Sequence, residues 1–148
     1  TTGSNNIGIG IGAGYAAGDG FTNITTQTNH IIMGNDLHTN ACIQIGWTTV
    51  SDARDKMDVN ALGHGLKFVE QLKPVSFYFK KDRDTDEKHG RKKYGFLAQD
   101  IISLEGDDVV IADNTNEDKY AVTSDHLIPV LVNAIQELSA RVKELESR

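Results

Sequence analysis

All fifteen lysines and arginines of this 148-residue chain lie after Val50. The first fifty residues carry only Asp19 and Asp36 as charged groups, together with nine of the fourteen glycines, six asparagines and nine threonines. So abrupt a change of composition marks a boundary between structural units, here near Trp47–Ser51. Large apolar side chains are too sparse before it to close a core, because small units bury the smallest fraction of their surface. Whatever residues 1–50 fold into must be covered by something else.

Local pattern says what needs covering. Ile7, Ile9 and Ile11 alternate with Gly8, Gly10 and Gly12, the period of a strand with glycine on one face. A weak repeat follows: Ile9-Gly10-Ile11-Gly12, Ile31-Ile32-Met33-Gly34 and Ile43-Gln44-Ile45-Gly46, offset by twenty-two and then twelve residues. Other copies of the same chain are the economical cover for such rows, as in stacked or intertwined β-repeats. Gly12-Ala13-Gly14-Tyr15-Ala16-Ala17 imitates a dinucleotide-binding turn. That motif needs a helix directly after it to hold the pyrophosphate, and Gly18-Asp19-Gly20 with a Thr/Asn stretch breaks one.

Several classes are disfavoured by composition. A net charge of −6 argues against a non-specific nucleic-acid binder, which presents a basic face. No apolar run approaches the ~20 residues of a membrane span. Cys42 is the sole cysteine, which excludes an intrachain disulfide and a cysteine-built zinc site. The five histidines, His30, His38, His64, His89 and His126, lack close metal-ligand spacing, so neither metal nor cofactor is expected. No secretory signal is recognisable at the start, and Thr1 is not an initiator, so the chain reads as the tail of a longer protein.

The second half reads as α+β. Leu62, Leu66, Val69 and Leu72 recur at helical spacing before Pro74. Val75–Lys80 has strand character, Asp82–Lys93 is a charged loop, and Leu97, Ile101 and Leu104 form a short helix stopped by Gly106. Val109–Ala112 and Lys119–Val122 can pair as a hairpin. In Lys88-His89-Gly90-Arg91-Lys92-Lys93 the cations sit beside Asp82, Asp84, Asp86 and Glu87, which indicates a solvated loop rather than a nucleic-acid patch. Trp47 is read as a packing residue at the boundary.

At the C-terminus Ile128, Leu131, Ile135, Leu138, Val142 and Leu145 are spaced 3-4-3-4-3. These are almost three heptads with β-branched residues at a and leucine at d, a coiled-coil seam that by rule favours two strands. Arg141 at g and Glu146 at the next e can pair between parallel chains. Ser124 is the candidate N-cap, with Pro129 displacing the regular helix toward Ile128.

Ser51-Asp52-Ala53-Arg54-Asp55-Lys56 lies on the composition boundary. A serine becomes a nucleophile when a base takes its proton, and a desolvated lysine amine can serve. Residues i and i+5 stand about 140° apart on a helix and on opposite faces of a strand. A Ser51–Lys56 pair therefore requires a turn, or a partner chain, to bring the groups together.

Four ordered motifs then resemble one family, the C-terminal intramolecular chaperone of phage tailspikes and tail fibres, serine peptidase family seventy-four, which also occurs in myelin regulatory factor. Ser51, Asp52, Arg54 and Lys56 match S-D-x-R-x-K. Leu72-Lys73-Pro74-Val75, Gly95-Phe96-Leu97-Ala98-Gln99-Asp100 and Leu127-Ile128-Pro129-Val130-Leu131 match the segments that follow. The resemblance covers Trp47 to the C-terminus, and the Gly/Ile repeat before it looks like fibre sequence found upstream of such domains.

The resemblance implies a homotrimer. Residues 1–50 would be the end of a β-rich fibre or spike, and residues 51–148 an α+β chaperone ending in a parallel coiled coil at about 127–148. The partners are the chain itself and its own upstream fibre, with no nucleic acid and no membrane. The chaperone would be made in the host cytoplasm and cut off once the fibre has assembled for the virion tail. The scissile bond would be Val50–Ser51, with Ser51 the nucleophile, Lys56 the general base, and Asp52 and Arg54 in supporting roles. The charged 82–93 loop is a candidate arm gripping the fibre. Trimerisation, on this resemblance, overrides the two-strand preference of the heptads.

A free lysine titrates near ~10.4, and bringing one to about 7–8 corresponds to roughly 4 kcal/mol of differential solvation. Asp52, Asp55 and Asp58 oppose that change; burial, helped by Arg54, has to supply it. Such burial is expected only once chains have assembled, so cutting should be gated by assembly. Two other readings share the motifs: a trimerising cap that never cuts, and the self-cleaving domain of a myelin-regulatory-type transcription factor. The Gly/Ile repeat and the lack of a downstream membrane helix weigh against the latter.

Overall fold

The computed structural model describes residues 2–14 and 26–148. They group into two compact units, one of the described residues up to Ile43 with Ser76–Tyr94 and Asn116–Lys119, the other of Gln44–Val75, Gly95–Thr115 and Tyr120–Arg148. The protein is a small α+β chain with a long C-terminal helix.

In the first unit, strands β1 (Ile7–Ile9) and β2 (Ile31–Met33) pair in parallel, with Ile7 opposite Ile31, Gly8 opposite Ile32 and Ile9 opposite Met33. The offset is twenty-four residues, not the twenty-two read from the isoleucines, because glycine position decides it. Gly10 (φ 102°) and Gly34 (φ 79°) end the two strands in the same left-handed conformation. Asn5 (φ 54°) and Asn29 (φ 66°) precede them in another. The ladder extends through side chains: Asn5 Nδ2 donates to Asn29 Oδ1 at 2.7 Å, His30 N–H to Asn6 Oδ1 at 2.9 Å and Asn35 Nδ2 to Ile11 O at 2.9 Å. Ile11 is therefore not a strand residue, and Ile43–Gly46 forms no strand. Tyr15-Ala16-Ala17, Gly18-Asp19-Gly20 and the start of the Thr/Asn stretch lie outside the described residues. Ile7, Ile9, Ile31 and Met33 all stay exposed.

Strands β3 (Val75–Lys80) and β4 (Lys88–Gly95) form a two-stranded sheet. The seven-residue link between them is too short for a parallel crossover, and Lys81 N–H closes it on Glu87 O at 2.9 Å. The charged stretch expected to be loop to Lys93 is thus loop only to Glu87. Its cations gain aromatic faces: Lys88 Nζ lies 4.6 Å from the Tyr78 ring centroid and Lys93 Nζ 5.8 Å from that of Phe79. Gly90 lies against Thr39, where a Cβ would meet Thr39 Cγ2 at 3.4 Å.

The second unit holds a core of Phe68, Ile101, Ile111, Ala112, Leu127 and Val130. These come from α1 (Leu66–Val69), α2 (Ala98–Glu105), β5 (Ala112–Asp113) with the residue before it, and α3 (Leu127–Glu146). Strand β6 (Ala121–Val122) runs antiparallel to β5, as the alternation suggested but shorter. Gly106 (φ 72°) ends α2, its N–H returning to Ile102 O at 3.0 Å. Ser124 opens a 3-10 turn, Ser124–His126, and is not the cap of α3; no side chain caps that helix. Pro129 is its third residue, in the first turn, where N–H groups have no intrahelical acceptor, so no hydrogen bond is lost and the helix starts at Leu127.

Glu105 ties α2 to β5. Its carboxylate accepts the N–H groups of Val110 (3.0 Å), Ile111 (2.8 Å) and Ala112 (3.1 Å). Glu105→Ala strands these donors beside a buried strand, at a cost of about 1–3 kcal/mol. Glu105→Gln, which keeps one acceptor oxygen, is expected to cost less. Urea denaturation midpoints of the two variants check the order.

Candidate functional site

The segment from Gln44 to Ala61 contains one regular element, the 3-10 turn Ala53–Asp55. Asp52 nucleates it. As N-cap, its Oδ1 accepts the Arg54 N–H at 2.9 Å, the bond that favours aspartate at this position. Asp55 N–H returns to Asp52 O at 3.1 Å and Lys56 N–H to Ala53 O at 3.3 Å. The turn reverses the chain enough for Lys56 Nζ to donate to Ser51 Oγ at 2.6 Å. The i, i+5 spacing that no helix or strand satisfies is met by one 3-10 turn within a single chain, without a partner.

Arg54 closes back on its own cap. Its Nε donates to Asp52 Oδ1 at 3.1 Å and its Nη2 to Oδ2 at 2.6 Å, a two-pronged pair with the carboxylate. The guanidinium and the N-cap bond hold the Asp52 carboxyl below the usual carboxylate range, and the carboxylate raises the Arg54 guanidinium in turn. Asp52 is thereby engaged by Arg54 rather than by the lysine, and no carboxylate among the described residues lies within ion-pair distance of Lys56. This gives Asp52 and Arg54 a concrete structural part: they shape the turn and neutralise each other.

Ser51, Lys56 and Val50 are all exposed, Val50 at 83%. Trp47, at 77%, is not packed as its place at the boundary suggested, and Met57 and Val59 are equally open. In the single chain, the Lys56 amine and the Ser51 hydroxyl are thus in hydrogen-bond contact while both remain open to solvent.

Downstream, Leu62–Leu66 is fastened to α3 by two residues that motif reading passed over, Asn133 and Glu137. The available signal was Asn133 itself, a poor helix former in the middle of a helix, where it needs a reason to stay. Among the described residues no three His, Cys, Asp or Glu side chains converge as metal ligands, and no helix is long and apolar enough to cross a membrane.

Residues 51–111 match the family Peptidase_S74, described as chaperone of endosialidase. The match begins at Ser51, takes in the first three motifs, and ends before α3. No curated protein matches the chain significantly.

The Asp52–Arg54 clasp makes a pH-dependent contribution of fixed sign. A carboxyl lowered in the folded state stabilises above its unfolded value, near 3.8, and loses that stabilisation as pH falls through the lower folded value. Carbon-detected NMR should place the Asp52 midpoint below 3.8, and Arg54→Ala should move it upward.

Proposed function

We propose that this chain, whose residues 51–111 match the Peptidase_S74 chaperone family, is the intramolecular chaperone of a viral tail fibre or spike together with the end of that fibre. It assembles as a homotrimer and then releases itself at Val50–Ser51. The observation that carries this reading is the 2.6 Å contact between Lys56 Nζ and Ser51 Oγ at the first residues of the matched segment.

The chemistry follows from the placement. With Lys56 neutral, its amine takes the Ser51 hydroxyl proton as Oγ attacks the carbonyl carbon of Val50. The proton passes to the Ser51 nitrogen, the C–N bond breaks, and the two parts stay joined by an ester between the Val50 carbonyl and Ser51 Oγ. Water hydrolyses that ester, leaving a carboxylate on Val50, a free hydroxyl on Ser51 and a new amino terminus. One turnover is possible and no cofactor is required.

Assembly is supported by surface left uncovered. On α3, Leu127, Val130 and Ala134 are buried in the domain, while Ile128, Leu131, Ile135, Leu138, Val142 and Leu145 are exposed along their heptad stripe. Trp47, Val50, Met57 and Val59 flank the dyad in the same state. Neighbouring copies that cover these groups would also strip water from Lys56, which couples trimerisation to activity. The placement of Gly90 against Thr39 favours the β3–β4 sheet as the arm that attends the fibre segment.

A trimerising cap that never cuts shares the packing, and the exposure of Ser51 and Lys56 is the observation in its favour. Denaturing gels separate the two. Wild type should yield two fragments divided at Val50–Ser51, Ser51→Ala should stay intact, and Lys56→Ala should slow cutting by about 10²-fold or more. A single full-length band for all three establishes the cap.

The gate is tested apart from the dyad. Ile135→Asp places a charge in the heptad stripe, and sedimentation should show the trimer dispersing. Cutting should fall with it, although residue 135 is remote in sequence from Ser51. A dispersed variant that cuts at the wild-type rate removes the assembly gate.

A further inference from the structure

Five residues separate Lys56 from Leu62, and at Leu62 the chain meets α3. Asn133 Nδ2 donates to both Leu62 O (3.2 Å) and His64 O (2.9 Å). One turn further along α3, Glu137 Oε2 accepts the Leu66 N–H at 2.9 Å. Gly65 makes the second bond possible, because a Cβ there would overlap the Glu137 carboxylate. His64, whose carbonyl is one of the Asn133 acceptors, stacks its ring on the buried Phe68 ring at 4.3 Å.

These bonds do what the local sequence does not. A four-residue helix such as α1 is too short to sustain itself, and its first N–H groups need acceptors. Gly65, its N-cap, offers no side-chain oxygen. Glu137 supplies the cap from a helix seventy-one positions away. Asn133 meanwhile fixes two carbonyls of a stretch without regular structure. The stem that follows the Ser51–Lys56 turn is thus pinned to α3 at three backbone atoms.

The pins occupy a particular face. At 100° per residue, Asn133 and Glu137 stand on the side of α3 that holds Val130 and Ala134, about 150° round the helix from the centre of the heptad stripe. A helix that associates through the stripe leaves this face free to carry the stem and fixes the stem's orientation with its own. We infer that Asn133 and Glu137 are positioning residues for self-cleavage, which hold the Ser51–Lys56 segment to the helix that assembles. This rests on the self-cleavage reading above.

The test uses the full chain and reports cutting per assembled trimer, with sedimentation and helicity as controls. Glu137→Gln keeps an oxygen for the Leu66 N–H and should cut within about threefold of wild type. Glu137→Ala, Gly65→Ala and the near-isosteric Asn133→Asp, which loses the donor, should each assemble but cut at least tenfold more slowly. Their pH of half-maximal rate should also rise, because a lysine on a loosened stem is less well desolvated. Two different substitutions break the Glu137 bond, one on α3 and one on the stem, so a folding failure in either leaves the other to decide. Wild-type rates per trimer, or losses that only track trimer content with an unmoved pH midpoint, overturn the inference while wild-type cutting stands. A wild-type trimer that does not cut overturns the self-cleavage reading itself, and this inference with it.

Discussion

The second unit depends on one helix with two apolar faces. A single amphipathic stripe buries itself and is finished. In α3, Leu127, Val130 and Ala134 are buried in the domain, and the six apolar residues of the heptad stripe stay exposed beside them. Burying even half of each such side chain offers about 1 kcal/mol apiece, against a cost of association that a lone stripe of this length struggles to meet. Pre-forming the helix on its own domain lowers that cost, because its backbone is already ordered when copies meet. The face that folds the monomer therefore prepares the face that would join three of them.

Around Ser51 the decisive effect is local geometry set by charge. Asp52 acts twice, as the N-cap that starts the turn and as the acceptor that Arg54 grips. In sequence it counted as one of three acids holding Lys56 protonated; in the structure its charge is answered by Arg54. The exposed pair contributes little stability. Its consequence is the alignment of a hydroxyl and an amine five residues apart, with one unfavourable neighbour removed.

The alternations and spacings that reflect local packing were legible: β3 at Val75–Lys80, α2 before Gly106, the β5–β6 pairing, and a long C-terminal helix. The demand for a turn between Ser51 and Lys56 was legible too, because period alone forbids both regular alternatives. What escaped was set by longer-range partners. The repeat offset was misread because isoleucine alternation continues to Ile11, whereas the backbone turns at Gly10, and only pairing with Gly34 shows that these glycines are the equivalent pair. Strand β4 escaped because its charges imitate a loop, and the aromatic faces that receive Lys88 and Lys93 lie on another strand. Asn133 and Glu137 escaped because their partners are backbone atoms about seventy residues away, which carry no sequence signature.

The order of the chain itself argues for a gate. The proposed cut lies before α3, so a chain that severed itself early would part residues 1–50 from the helix that carries the exposed stripe. Peptide hydrolysis in water does not reverse, and no later assembly would rescue that fragment. A hydroxyl and an amine in contact yet open to solvent in the single chain fit that constraint, since under the proposed reading the cut would wait for neighbours to exclude water. Had Ser51 and Lys56 been buried within one protomer, the geometry would favour cutting at the moment of folding, and the helix would be lost before it could act.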